Sequence, residues 1–165
     1  MIESMKKKEL TIPVEVYTDS RELETPDLLL LDLARKTTAD AYAPYSGFRV
    51  AAAVRLANGK MLTGTNQENA SFPAGICAER VVLSTASALY PGVAVTDLAV
   101  SFFHEGGNNA KPISPCGICR QTITEYELRS GQPIRLILGG NSGEVFILKR
   151  AADLLPLAFT SEEMK

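Results

Sequence analysis

Cysteine and histidine are scarce in this chain of 165 residues, at three and one respectively. An odd cysteine count that includes a C-x-x-C pair fits a metal in a reducing compartment better than a disulfide framework. A surplus of positive charge is also missing. Seventeen Lys and Arg against nineteen Asp and Glu leave a net charge of -2, with a pI near 5.5. That balance argues against nucleic acid as the main partner. The one basic cluster, Lys6-Lys7-Lys8, is short, is followed by Glu9, and reads as a solvated tail. Long apolar runs are absent as well. A run such as Leu28-Leu29-Leu30-Leu31 falls far below the roughly 20 residues of a membrane span. The start, Met1-Ile2-Glu3-Ser4-Met5, carries an early acid and no apolar stretch behind it, so no targeting segment is expected. The expected compartment is the cytoplasm. Neither an internal repeat nor a low-complexity tract is visible.

The length suits one domain with a sizeable core of its own. Residues 1–22 read as a polar N-terminal extension in which Leu10 to Tyr17 alternates. Pro13 restricts that stretch to a candidate edge strand. Residues 23–165 form the expected domain. Thr25 is the expected N-cap of a first helix, with Pro26 at the first helical position and the helix running from Asp27 to about Ala41. Phe48–Leu56 and Met61–Thr65 are expected strands, joined by a turn at Ala57-Asn58-Gly59-Lys60. A second helix is expected from Cys77 to Leu89 and a strand from Leu98 to Phe103. A third helix should run from Cys116 to Gly131. Strands Ile134–Leu138 and Val145–Leu148 and a short helix over 151–155 complete the order. The sum is an α/β three-layer sandwich, with a mixed five-stranded sheet and helices on both faces.

All three cysteines fall at expected helix starts, in Cys77-Ala78-Glu79-Arg80 and Pro115-Cys116-Gly117-Ile118-Cys119-Arg120. Free N–H groups and the positive dipole end favour thiolate there. Cys116 and Cys119 share one face of a first turn. With Cys77 they supply three ligands for one Zn2+, and three protein ligands leave a fourth position for water, as in catalytic zinc sites. Glu79, two residues from the first ligand, is placed to handle that water's protons. Arg80 and Arg120 each follow a ligand and are candidate donors to the sulfurs, where they would offset thiolate charge. The bland alternatives are a scaffold zinc or three buried free thiols, and surface ion pairs for the arginines. The single histidine, His104, lies in no ligand pattern and is read as a strand-end residue. Asn66 and Glu68, two apart on an extended segment, point the same way.

Zinc deaminases carry H-x-E followed by P-C-x-x-C, with a three-cysteine variant, and Cys77-Ala78-Glu79 with Pro115-Cys116-Gly117-Ile118-Cys119 resembles that variant. Ala41-Tyr42-Ala43-Pro44-Tyr45-Ser46-Gly47-Phe48-Arg49-Val50 is similar to the A-Y-x-P-Y-S-x-F-x-V string of cytidine deaminases. Gly64-Thr65-Asn66-Gln67-Glu68-Asn69-Ala70 resembles their G-x-N-x-E-N-A, and Leu154-Leu155-Pro156-Leu157-Ala158-Phe159 their L-L-P-x-x-F. The likeness spans about residues 27–160, and the class is the small, homotetrameric, three-cysteine one. Leu157 departs from it, standing where many members carry glycine.

The resemblance implies hydrolytic removal of ammonia from C4 of cytidine or deoxycytidine, in pyrimidine salvage, with one zinc per chain and no organic cofactor. Glu79 would shuttle the protons. Asn66 and Glu68 would bind the ribose 3′-hydroxyl, Phe48 would pack on the nucleoside, and the Ala78 backbone would lie near the pyrimidine edge. Phe159 would reach into a neighbouring subunit's site; its alternative is to tuck under its own domain. Each carry-over has a plain rival: Asn66 as a turn residue, Phe48 as core. Three other functions compete. A deaminase of a cytosine-containing antibiotic of the blasticidin S type shares the metal motif. A nucleic-acid deaminase should show a basic strand-binding surface. A zinc-stabilised interaction module would need neither Glu79 nor an open ligand position.

Overall fold

The computed structural model describes residues 5–165, so the sequence reading of Met1–Ser4 lies outside the described residues. The chain runs β1 (Glu15–Tyr17), α1 (Thr25–Thr37), β2 (Phe48–Leu56), β3 (Met61–Thr65), α2 (Ala78–Leu89), β4 (Val95–His104), α3 (Gly117–Ser130), β5 (Arg135–Gly139) and β6 (Val145–Leu148), with short 3₁₀ turns between and after. One sheet holds them in the order β1-β6-β5-β4-β2-β3. Among these described strands only β4 and β5 pair in parallel. A parallel pair needs a crossover, and α3 supplies it.

Strand alternation sorts the core into two layers. Ala53, Ala99 and Ile137 face α1, where Leu30, Leu31 and Ala34 are buried against them. Their neighbours Ala52, Val54, Leu98, Val100, Leu136 and Leu138 face the other way, onto Ala78, Val82 and Leu83 of α2 and Ile123 of α3. The result is the expected sandwich with helices on both faces. The small residues of β2 let helices close on it from both sides.

Four differences from the sequence reading have physical causes. The sheet has six strands rather than five, because Glu15–Tyr17 pairs antiparallel with the outer edge of β6. Pairing begins only after Pro13, which has no N–H to give a ladder. Helix α1 takes Glu24 rather than Thr25 as its N-cap, with Pro26 still inside the first turn, where its missing donor costs nothing. The same helix stops at Thr37, not Ala41. Thr37 and Thr38 turn their hydroxyls onto the Leu33 and Arg35 carbonyls at 2.8 and 2.7 Å, a local competition that weakens helix ends. Finally, β4 starts at Val95 and takes in Thr96 and Asp97. Asp97 is tolerated because Arg135 and Arg55 reach it at 2.9 and 3.4 Å.

Gly64 decides how closely α2 sits on the sheet. A Cβ there would stand 2.7 Å from the Val82 nitrogen and 3.0 Å from the Ala78 oxygen, closer than real side chains come. Glycine therefore lets the first turn of α2 lie directly on β3. That contact sets Ala78 and Glu79 beside the residues that follow β3.

Candidate zinc centre and nucleoside cleft

Cys77 and Cys116 are the N-cap residues of α2 and α3, so both arrive from extended backbone at helix starts. The two helices lie on the same face of the sheet, and their N-termini meet. Cys116 Sγ lies 3.4 Å from Cys119 Sγ and 3.7 Å from Cys77 Sγ. All three sulfurs fall within 4.8 Å of one another. A tetrahedral zinc with Zn–S bonds of about 2.3 Å requires sulfurs about 3.8 Å apart, so this donor set fits the ion. The thiols already share charge. Hydrogen bonding from Cys119, helped by Cys116 and by the Arg80 charge, brings the Cys77 thiol down to about 6 against its burial and the Glu79 charge. The same bond pushes Cys119 up. His104 stays out of the cluster and packs on Phe48, ring centroids 5.7 Å apart.

Glu79 occupies the second position of α2 and is 4% exposed. Burial raises its pKa, offset in part by its own backbone N–H and the Cys119 thiol. It lines a cavity of about 180 Å³ together with Cys77, Cys116, Ala78 and Asn66. Asn66 and Cys77 also border a second cavity of about 510 Å³ that holds Tyr45, Ser46, Glu68 and Phe72. The two adjoin at Asn66 and Cys77, making a cleft lined at one end by Cys77, Cys116 and Glu79 and at the other by Glu68. Among the described residues lining it there is no Lys, Arg or His.

The Asn66 side chain completes the sheet where β2 loses its partner. Its Oδ1 accepts from Val50 N–H at 2.8 Å and its Nδ2 donates to Phe48 O at 2.9 Å. One Nδ2 proton is left for a ligand. Glu68 is held by the turn opposite: Oε2 accepts from the N–H groups of Tyr45 and Ser46 at 2.8 and 3.3 Å, and Oε1 from the Ser46 hydroxyl at 2.5 Å. The Ser46 hydroxyl and then the Tyr45 N–H hold this carboxyl below its ordinary pKa.

The other residues singled out from the sequence divide. Ala78 is fully buried beside Glu79. Phe48 does not line either cavity but stacks on Phe102 at 5.1 Å. Arg120, read from the sequence as a candidate donor to the sulfurs, turns its Nε and Nη1 to the Pro115 and Leu154 carbonyls at 2.8 and 3.1 Å. It braces the loop that leads into Cys116. Phe159 is 61% exposed on the C-terminal tail, held there by Gln121 donating to its carbonyl at 2.8 Å. Sequence reasoning missed Tyr45 and Ser46 as partners of Glu68; their only signal was membership of the Ala41–Val50 string.

Three comparisons bear on this site. The family described as the cytidine and deoxycytidylate deaminase zinc-binding region matches residues 24–131. Two curated cytidine deaminases are similar along most of their length. The one from Halalkalibacterium halodurans is 33% identical over 136 residues, covering 82% of this chain and 96% of that protein. The one from Sporosarcina psychrophila is 36% identical over 137 residues, covering 82% and 92%. A crystal structure of cytidine deaminase from Burkholderia pseudomallei superposes with a TM-score of 0.69 at 38% identity, covering 79% of this chain and 97% of that one. A match across both the β2–α2 region and the second cysteine pair, with relatives alike over nearly their whole length, makes this chain a member of the cytidine and deoxycytidylate deaminase zinc-binding family.

Proposed function

We propose that the chain catalyses hydrolytic deamination of cytidine and deoxycytidine to uridine and deoxyuridine, with release of ammonia. The observation that carries this reading is a buried carboxyl, Glu79, set beside three thiols in a cleft whose far end presents Glu68. Cys77, Cys116 and Cys119 would hold zinc, whose Lewis acidity makes water acidic enough to lose a proton near neutrality. Glu79 takes a proton from the attacking water and delivers it to N3 of the pyrimidine, which makes C4 more electrophilic. The second proton of that water passes through the same carboxyl to the amino group. The C4–N bond breaks, ammonia leaves, and C4=O forms. The Ala78 backbone would lie along the pyrimidine edge, and Phe48, stacked on Phe102 beside the cleft, would pack against the nucleoside.

The sugar end fits one hydroxyl. Asn66 has one free N–H to donate, and an ionised carboxylate offers about four acceptor sites, of which Glu68 has three taken. A group that both donates and accepts, such as the ribose 3′-hydroxyl, complements the pair. The lack of a cation in the described cleft favours a nucleoside over its 5′-phosphate. A 5′-phosphate dianion placed there would meet the Glu68 carboxylate with no cation lining the cleft to offset it. Ammonia release from cytidine, deoxycytidine and cytidine 5′-monophosphate checks this. The nucleosides should turn over, and the nucleotide should fall about 10²-fold or more in kcat/KM. Release from the nucleotide alone, or from none of the three, would overturn the reading.

The assembly we propose is a homotetramer with shared sites, in the cytoplasm, where reduced thiols are available for metal; the activity is one of pyrimidine salvage. Residues 1–22 are then an appended segment on a deaminase domain of residues 23–165. Support for the shared site lies in the tail. Leu157 has φ of 59° and is 88% exposed. A non-glycine residue in that region costs about 1–2 kcal/mol, and an exposed Leu157 and Phe159 gain nothing in return on a lone chain. Burial against a second copy would offset both costs and carry Phe159 to a neighbour's pyrimidine. Mixing inactive Glu79→Gln chains with Phe159→Ala chains is the check. Verified mixed oligomers should recover sites with ordinary KM; failure to recover any would reject the shared site.

A further inference from the structure

We propose that Ser46 is the positioning residue of the sugar end, aiming the Glu68 carboxylate so that its one unclaimed acceptor site, on Oε1, is available to the substrate hydroxyl. The inference rests on the reading of Glu68 as a sugar contact. A single hydroxyl links the Phe48 backbone to the Glu68 carboxylate. Phe48 N–H donates to Ser46 Oγ at 3.0 Å, which leaves the hydroxyl proton free to go to Glu68 Oε1 at 2.5 Å. On its other side, the Phe48 carbonyl is taken by Asn66 Nδ2. Phe48 is therefore fixed at both backbone groups, once by the residue that orients Glu68 and once by Asn66. The backbone N–H groups of Tyr45 and Ser46 both go to Oε2, so among the described residues only the Ser46 side chain holds Oε1. The turn that carries Ser46 is itself closed by Gly47 N–H on the Ala43 carbonyl at 3.0 Å, with Gly47 at φ 67°. Glycine takes that conformation without strain. A carboxylate fixed at one oxygen and free at the other would swing about its last torsion, and the loss would fall on substrate binding rather than on chemistry at C4.

The test uses the full-length zinc-loaded enzyme with cytidine and 3′-deoxycytidine. Ser46→Ala should raise KM for cytidine about tenfold, the order expected of a hydrogen bond to an ionised carboxylate. It should leave kcat within about twofold and move the 3′-deoxy analogue little. Ser46→Thr keeps the hydroxyl and should restore the cytidine KM. In a Glu68→Ala background, Ser46→Ala should add no further penalty, because a positioning residue acts only through its partner. A purely structural serine would penalise both substrates alike and keep its effect without Glu68; either result overturns the proposal. Glu68→Ala also separates the two levels. If it fails to distinguish the substrates, the sugar reading falls and Ser46 with it. If it distinguishes them and Ser46→Ala does not, only the role of Ser46 is lost.

Discussion

Glu79→Gln should remove most of the turnover and leave the fold and the metal content as they are. The side chain is buried at the start of α2, in contact with the cavity shared by the cysteines. Glutamine has the same length and volume, so the packing against α2 and the sheet survives. What disappears is the capacity to gain and lose a proton. Burial already raises the Glu79 carboxyl above its ordinary range, which suits a group that must both take a proton and return it near neutral pH. General acid–base roles are typically worth about 10²–10⁴-fold. Here one carboxyl serves two transfers in each turnover, so the upper part of that range is expected in kcat, with KM much less affected. Steady-state rates on cytidine, read beside zinc content and the thermal midpoint, make the check. A variant that keeps its zinc, its midpoint and near-normal kcat would remove Glu79 from the mechanism.

Some of this architecture is legible in the sequence because it depends on neighbours along the chain. The run Ala51-Ala52-Ala53-Val54 announces a strand buried on both faces, and Asn58-Gly59 announces the hairpin, with Gly59 at φ 79°. The metal end is legible for the same reason: helix starts and C-x-x-C spacing confine the three thiols before any tertiary contact is known. What escapes the sequence depends on partners far away. Asp97 looks too polar for a buried strand until Arg55 and Arg135 are seen to neutralise it from 42 and 38 residues away. Arg120 resembles a sulfur donor by position, yet the Leu154 carbonyl, 34 residues on, claims it. Ser46 carries no spacing signature, because its partner Glu68 comes from the end of a different strand, 22 residues later. The sixth strand lies inside the Leu10–Tyr17 stretch that reads as a candidate edge strand, but the alternation does not say which residues pair; only the open edge of β6 selects Glu15–Tyr17.

Loss of one cysteine should cost more than loss of Glu79, and the choice of cysteine makes the test informative. Cys119 is fully buried, while Cys77 is half-buried and Cys116 exposed. Cys119→Ala leaves two thiols, too few to hold zinc against dilution during purification. Zinc should fall from about one per chain to a small fraction, and deamination should fall at least as far as in Glu79→Gln. Stability should drop too, because metal binding energy is partly folding energy when the ligands come from separate helices. A buried thiol also packs like a small apolar side chain, so a lower midpoint alone would not prove ligation. Cys77→His supplies the control. Imidazole is a zinc ligand in its neutral form, a histidine at this position of the motif is a known pattern for zinc deaminases, and the half-buried site leaves room for the ring. That variant should keep zinc close to one per chain and retain measurable turnover, whereas Cys119→Ala should keep neither. Replacing a thiolate by a neutral ring would also lower the negative charge around a bound ion, a charge that Arg80 opposes at Cys77. Zinc retained in full by Cys119→Ala with undiminished deamination would exclude this cluster as the metal site. Equal zinc loss in both variants would show that the site requires three thiolates and has no tolerance for imidazole.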